Sequence, residues 1–128
     1  MQTSVLLSVK PQFARAILDG TKKFEFRRSI FRHEQVRRIL LYASSPVQRV
    51  IGEFDLSEII TMELSALWRR TSEFSGITRT YFDDYFLGLE HGHALKVGRC
   101  RLYARPLELQ RHFGILHAPQ SFRYVHSD

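Results

Sequence analysis

The sequence predicts an α+β fold, a small curled mixed sheet of about five to six strands with roughly three short helices packed on it. Stretches of period two, which mark strands, alternate with stretches of period near 3.6, which mark helices. Their order is strand, helix, three strands, two helices, then one or two strands. The 128 residues suit one domain, residues 1–128, with no repeat, low-complexity run or linker. With 44% hydrophobic and 12% aromatic residues the chain can fill a core, which argues against global disorder.

Residues 4–9, SVLLSV, are β-branched and leucine-rich ahead of a Lys-Pro step and read as a buried strand. Pro11 suits the first turn of a helix whose Phe13, Ala14, Ile17 and Leu18 make one apolar stripe. Gly20 ends that helix in the left-handed cap position. In GTKKFEFRR, residues 20–28, the period changes to two: Phe24 and Phe26 point one way, Lys23, Glu25 and Arg27 the other. VRRILLYA at 36–43 and VIGEFDLSEII at 50–60 are further strands, joined by the turn-prone SSP at 44–46. Two short helices follow, one with Leu64, Leu67, Trp68 and Thr71 on a face, the other with Tyr81, Phe82, Tyr85 and Phe86, punctuated by Gly76 and Gly88. HALKVGRCRLYA at 93–104 alternates as a long strand with Gly98 as a bulge, Pro106 closes it, and PQSFRYV ends the chain with another short extended piece.

A net charge of +6 and a pI near 9.9 favour a polyanionic partner, nucleic acid before membrane. Cys100 stands alone, so the chain has no internal disulfide and no paired-cysteine metal spacing, which fits a reducing compartment. The N-terminal MQTSVLLSVK has neither a basic leader nor a small-residue cleavage site, so the expected location is the cytoplasm. No metal and no cofactor are expected: the EHGH run at 90–93 offers His91 and His93 across a glycine, fewer ligands than a closed site needs. Cys100 sits within a strand pattern as a small half-buried thiol, and no G-x-S-x-G elbow or H-E-x-x-H helix occurs. The aromatic stripe at 81–86 has helical spacing and is assigned to the core rather than to base stacking. Arg37-Arg38 and Arg69-Arg70 are read as solvated edges.

The charged face at 22–27 leaves two readings open. Glu25 and Arg27 lie about 6 to 7 Å apart on one strand face, and Lys22 leaves the turn just before. One reading is an exposed salt-bridged face worth under about 1 kcal/mol. The other is a positive pocket in which Glu25 orients Lys22 and Arg27 and leaves their remaining donors for a phosphate or a base edge.

Residues 20–27, GTKKFEFR, match the G-x-K-x-x-E-x-R signature of the ASCH domain, within the PUA-like superfamily of small β-barrels, at Gly20, Lys22, Glu25 and Arg27. SVKPQFARAILDGTKKFEFRR, LYASSPV, the glycine- and aromatic-rich helices and APQSFRYV, in that order, resemble the stand-alone bacterial and archaeal ASCH proteins classed as transcriptional regulators. The resemblance implies a PUA-like barrel and a cleft where the signature residues meet. It also implies binding of RNA, single-stranded nucleic acid or a free nucleotide, with no membrane partner.

On that reading Lys22 and Arg27 contact phosphate or a base edge, and Glu25 holds Arg27 or accepts from a base amine. Lys10 adds charge at a helix start, Ser44 and Ser45 donate from the SSP turn, and Gln120 and Ser121 close one side. The alternative is a hydrolase, with Lys22 and Glu25 as its acid–base pair. Bacterial acetylcytidine amidohydrolases resemble the chain here, with their lysine on Lys22; their threonine falls on Glu25, which cannot serve as a hydroxyl nucleophile. Other ASCH members are ribonucleases. The substitution of a carboxylate for a hydroxyl favours binding over catalysis as the expectation.

Overall fold

The computed structural model describes residues 2–32 and 34–127. Six strands, β1 (Gln2–Val9), β2 (Phe24–Arg27), β3 (Arg38–Ala43), β4 (Arg49–Glu63), β5 (His91–Leu107) and β6 (Phe122–Ser127), form one mixed sheet in the order β2-β5-β4-β3-β1-β6. β1 pairs with β3 in parallel; all the other neighbours are antiparallel. Four short helices accompany it: α1 (Pro11–Leu18), α2 (Leu64–Thr71), α3 (Arg79–Tyr85) and α4 (Leu109–Phe113). Among the described residues no helix is long and apolar enough to cross a membrane.

Strand alternation sorts the core into layers. Val5, Leu7 and Val9 face the cluster that holds Ala14 and Ile17 of α1, with Ile39, Leu41, Phe54 and Leu95. Leu6 faces the other way, onto Leu40, Tyr42, Val50, Leu109 of α4 and Ile115. Phe24 and Phe26 turn to a third cluster with Leu67 of α2 and Phe82 and Phe86 of α3. Each fully buried phenylalanine here contributes about 1.5–3 kcal/mol relative to exposure.

The local signals for α1 act as expected. Pro11 occupies its first turn, where a missing N–H costs nothing, and Gly20 follows it with φ +89°. Gly98 sits at a bulge. Asp55 alone lies opposite Gly98 and Arg99, between the pairs Phe54–Cys100 and Leu56–Val97, and a Cβ at Gly98 would fall 2.7 Å from the Asp55 carbonyl oxygen.

The larger differences from the sequence expectation are the ends of two strands and one helix without a sequence signal. β5 does not stop before Pro106 but runs to Leu107. Pro106 falls in the irregular stretch between the pairs Gly52–Leu102 and Val50–Leu107, where its absent donor breaks no ladder bond. β4 continues three residues past Ile60, to Glu63, whose carboxylate accepts from the backbone N–H groups of Ser65 and Ala66 and so caps α2. The five-residue α4, stopped by Gly114 at φ +67°, is too short for a periodic signal.

β2 and β6 are the two edges of the sheet. Side chains link them across the mouth of the curl: Arg27 Nη2 donates to Ser121 Oγ at 2.5 Å, immediately before β6 begins. Ser8 at the end of β1 fastens the same segment, through Ser8 N–H to the Ser121 carbonyl at 3.0 Å and Ser8 Oγ to the Pro119 carbonyl at 2.6 Å. That closure positions the site.

Candidate functional site

A cleft of about 450 Å³ opens where the ends of β1 and β2 meet α1, α3 and the segment before β6. Six of the eight sequence-derived candidates with a proposed ligand-binding role form its charged part or closing side: Lys22, Glu25, Arg27, Gln120 and Ser121 line it, and Lys10 joins them from the N-cap of α1. Ser44 and Ser45 do not line it. They occupy the turn after β3, one strand removed, where the Ser44 N–H donates to the carbonyl of the lining residue Val9.

Of the two readings that the sequence leaves open for this face, the exposed one does not hold: all four residues of β2 are buried. Lys22 is 1% exposed, Glu25 6% and Arg27 9%. Lys23, in contrast, stays outside with its Nζ 4.7 Å from the Phe74 ring, because it precedes the strand and escapes the alternation. The burial arises because the β2 edge is overlaid on one side by the α2–α3 layer and on the other by the closing segment at 119–121.

Lys22 Nζ donates to the Ser75 carbonyl at 2.5 Å and lies 5.2 and 5.0 Å from the ring centroids of Phe13 and Phe26. Burial holds its pKa below the ordinary lysine value, and the neighbouring Glu25 charge opposes that shift. Burial likewise pushes the Glu25 carboxyl up, against the opposing charges of Lys22 and Arg27 and the hydrogen bond from Arg27. Arg27 Nη1 reaches Glu25 Oε2 at 3.4 Å, a long contact, whereas its Nη2 bond to Ser121 is short. Both members of the Lys22–Glu25 pair are thus displaced toward neutrality, a desolvated amine beside a desolvated carboxyl.

The opposite wall is aromatic, which the sequence reading missed. α3 divides its stripe. Phe82 and Phe86 are fully buried, while Tyr81 and Tyr85 are half-buried and line the cleft, their rings 6.5 Å apart and 13° from parallel. The hydroxyls carry the signal: of four aromatics at helical spacing, the two that tolerate water face it. Tyr85 Oη donates to the Phe26 carbonyl at 3.1 Å, and burial raises its pKa. Lys10 Nζ stands 5.4 Å from the Tyr81 ring centroid. Arg28 also lines the cleft and ties β2 to the end of α3, donating to the carbonyls of Tyr85 at 2.8 Å and Leu87 at 3.0 Å.

The other sequence candidates lie elsewhere. His93 pairs with Arg27 across β5 and β2, with its Nδ1 2.8 Å from Thr61 Oγ1. Cys100 Sγ is half-buried, 3.4 Å from the Ile17 carbonyl, and burial raises its pKa. Among the described residues no three His, Cys, Asp or Glu side chains gather closely enough to hold a metal ion. Arg38 is no free solvated edge: with Arg101 and the Tyr103 hydroxyl it holds the buried Glu53, at 3.0, 2.8 and 2.7 Å.

Fold and cleft together define a PUA-like α+β barrel with a buried ionic cluster at its mouth. The ASCH domain matches residues 7–109, and the chain belongs to the ASCH domain family. It is similar to the ASCH domain-containing ribonuclease of Zymomonas mobilis, 35% identical over 106 residues, which covers 83% of this chain and 71% of that protein. The crystal structure of ASCH from Zymomonas mobilis superposes with a TM-score of 0.89 at 31% identity, covering 96% of this chain and 87% of the other. Large ribosomal subunit protein uL22 of Ureaplasma parvum is 29% identical over 122 residues, which is 95% of this chain; the chain spans only 39% of that relative's length.

Proposed function

We propose that the cleft binds a nucleotide of single-stranded RNA. The observation that carries this reading is the opposition, across one cleft, of a buried Lys22–Glu25–Arg27 cluster and a wall of two tyrosines. Two cations against one carboxylate leave room for one phosphate, and the tyrosines, with Phe13 and Val9, offer the surface on which an unstacked base lies. Duplex nucleic acid would have to extrude a base to present it to such a wall, at an unstacking cost of a few kcal/mol, whereas a single strand offers one without that cost. Regulation of transcription, the role of the proteins that the sequence resembles, would be a consequence of the same binding.

The test is affinity for a single-stranded RNA oligonucleotide, by fluorescence anisotropy at several salt concentrations. The doubly substituted Lys22→Ala, Arg27→Ala protein should bind at least ten-fold more weakly, with a shallower dependence on log salt. Equal affinity and slope in the folded double variant would remove the hypothesis.

A second reading, cleavage of the bound RNA, is favoured by the name of the Zymomonas mobilis relative and by the opposed shifts of Lys22 and Glu25. A neutral Lys22 amine would take the 2′-hydroxyl proton as that oxygen attacks phosphorus. The bond to the 5′-oxygen breaks, and this oxygen leaves with a proton from the Glu25 carboxyl, giving a 2′,3′-cyclic phosphate and a 5′-hydroxyl. Arg27 faces the charge that develops on the phosphoryl oxygens. Incubation of 5′-labelled RNA with wild type and Glu25→Gln decides this: product in the first and not the second supports cleavage, and equal product in both rejects it.

A further inference from the structure

We propose that the Ser75–Gly76–Ile77 turn is the positioning device for Lys22: it fixes the amine against the Ser75 carbonyl, and it needs glycine at 76 to make room for the lysine stem. This rests on the reading that Lys22 acts on the ligand. The geometry comes from two sides. Lys22 Nζ donates to the Ser75 carbonyl at 2.5 Å, and Ser75, itself 1% exposed, is held in place by its Oγ donating to the Ile77 carbonyl at 3.0 Å and accepting from Ile77 N–H at 3.3 Å. A Cβ at Gly76 would meet Cγ, Cβ and Cδ of Lys22 at 2.7, 2.8 and 2.9 Å. Every one of those atoms belongs to the same lysine, so a side chain at 76 can be admitted only by moving Lys22.

The turn also places the facing wall. Ile77 lines the cleft, and the next residue, Thr78, caps α3 by accepting from the Tyr81 N–H. One short segment between α2 and α3 therefore sets both the amine and the first stacking ring. In sequence, Gly76 looks like simple punctuation between helices; its second role shows only against Lys22, which arrives from a position 54 residues earlier.

Gly76 also has φ +70°, so any substitution there adds backbone strain, and a matched control separates strain from displacement. Gly114 has φ +67° with nothing within 4 Å of its Cβ position. Gly114→Ala repeats the strain without touching Lys22. The readout is competitive acylation of Lys22 as a function of pH, followed by mass spectrometry, which reports its protonation without any RNA. In Gly76→Ala the lysine is pushed toward water, and the pH of half-maximal labelling should rise toward that of an ordinary lysine; RNA affinity should fall about ten-fold or more. Gly114→Ala should leave both unchanged. Identical Lys22 labelling profiles in wild type and Gly76→Ala overturn the proposal, as does an equal shift in Gly114→Ala. If Gly76→Ala does not fold, Ser75→Ala, which removes only the bonds that hold the turn, should raise the same midpoint, and an unchanged midpoint rejects the idea. Should the labelling shift appear while wild type fails to bind RNA, the positioning stands and the RNA reading falls.

Discussion

Replacing Arg27 by alanine tests the buried cluster and the barrel closure together. The substitution removes the bond from Nη2 to Ser121 Oγ, 2.5 Å long, and the 3.4 Å contact to Glu25. A hydrogen bond to a charged group contributes about 1.5–3 kcal/mol. The Glu25 contact is long and adds less as a bond, but losing the nearby positive charge leaves a buried carboxylate with Lys22 as the main compensating charge. Together about 2–4 kcal/mol should go at neutral pH, a large part of the roughly 5–15 kcal/mol that holds a domain, with a melting temperature lower by roughly 10 °C. The pH dependence identifies the two contributions. Burial already raises the Glu25 pKa above 4.5, and removing Arg27 raises it further. A carboxyl whose folded-state pKa is raised stabilises the fold below its unfolded value, and that contribution is lost as pH rises through the folded-state pKa. The variant should therefore lose stability more steeply than wild type from about pH 4.5 upward, given the unperturbed value of 4.5. Near that pH the part of the loss that remains is that of the bond to Ser121 and of the long contact to the Ser8 carbonyl. Urea unfolding at a series of pH values measures this through Trp68, the single tryptophan, which packs on Phe82 at 5.0 Å. A loss below about 0.5 kcal/mol, or one that shrinks as pH rises, refutes the account of a buried, mutually compensated cluster.

Phe82→Ala should cost about 3–5 kcal/mol in equilibrium unfolding, since the ring is fully buried and meets Phe26, Trp68 and Phe86; a cost under about 1 kcal/mol would mean that the α2–α3 layer is not packed on β2 as described. Tyr81→Leu keeps an apolar contact with Phe13 but loses the broad ring face, so RNA should bind about 5- to 150-fold more weakly, equivalent to about 1–3 kcal/mol, with little change in melting temperature; an unaltered dissociation constant counts against the stacking wall. Gly98→Val places a side chain 2.7 Å from the Asp55 carbonyl and should destabilise by about 1–3 kcal/mol through the bulge, seen as a lower thermal midpoint, whereas an equal midpoint would show that the bulge yields freely.

Much of this protein is written locally. The alternation in SVLLSV places Val5 and Leu7 on one face and Leu6 on the other, and the structure seats them against α1 and α4 accordingly. Pro11 and Gly20 delimit α1 because each imposes a backbone conformation that does not depend on neighbours. The signature residues Lys22, Glu25 and Arg27 could be singled out from spacing and family resemblance alone. Their environment could not. Whether a charged strand face meets water or protein depends on which strands pair, and here β2 reaches the far edge from β6 in the ladder order yet is drawn to it by Arg27 and Ser121.

The cleft joins residues near 8–13, 22–29, 77–85 and 120–121, and none of those separations leaves a periodic trace. Helical spacing alone places Tyr81 and Tyr85 in the core, because four aromatics so spaced look alike until the helix is docked; the docking gives the cleft to the two with hydroxyls. Ser44 and Ser45 were drawn in by their donors and left out by the parallel pairing of β1 with β3, which sets their turn behind Val9. Periodicity and caps act over a few residues, so the sequence by itself determined most of the elements, though not the five-residue α4, and the chemistry they carry. Desolvation, which lowers the pKa of Lys22, raises that of Glu25 and turns an ordinary basic strand into a buried cluster, exists only once distant segments have closed over it.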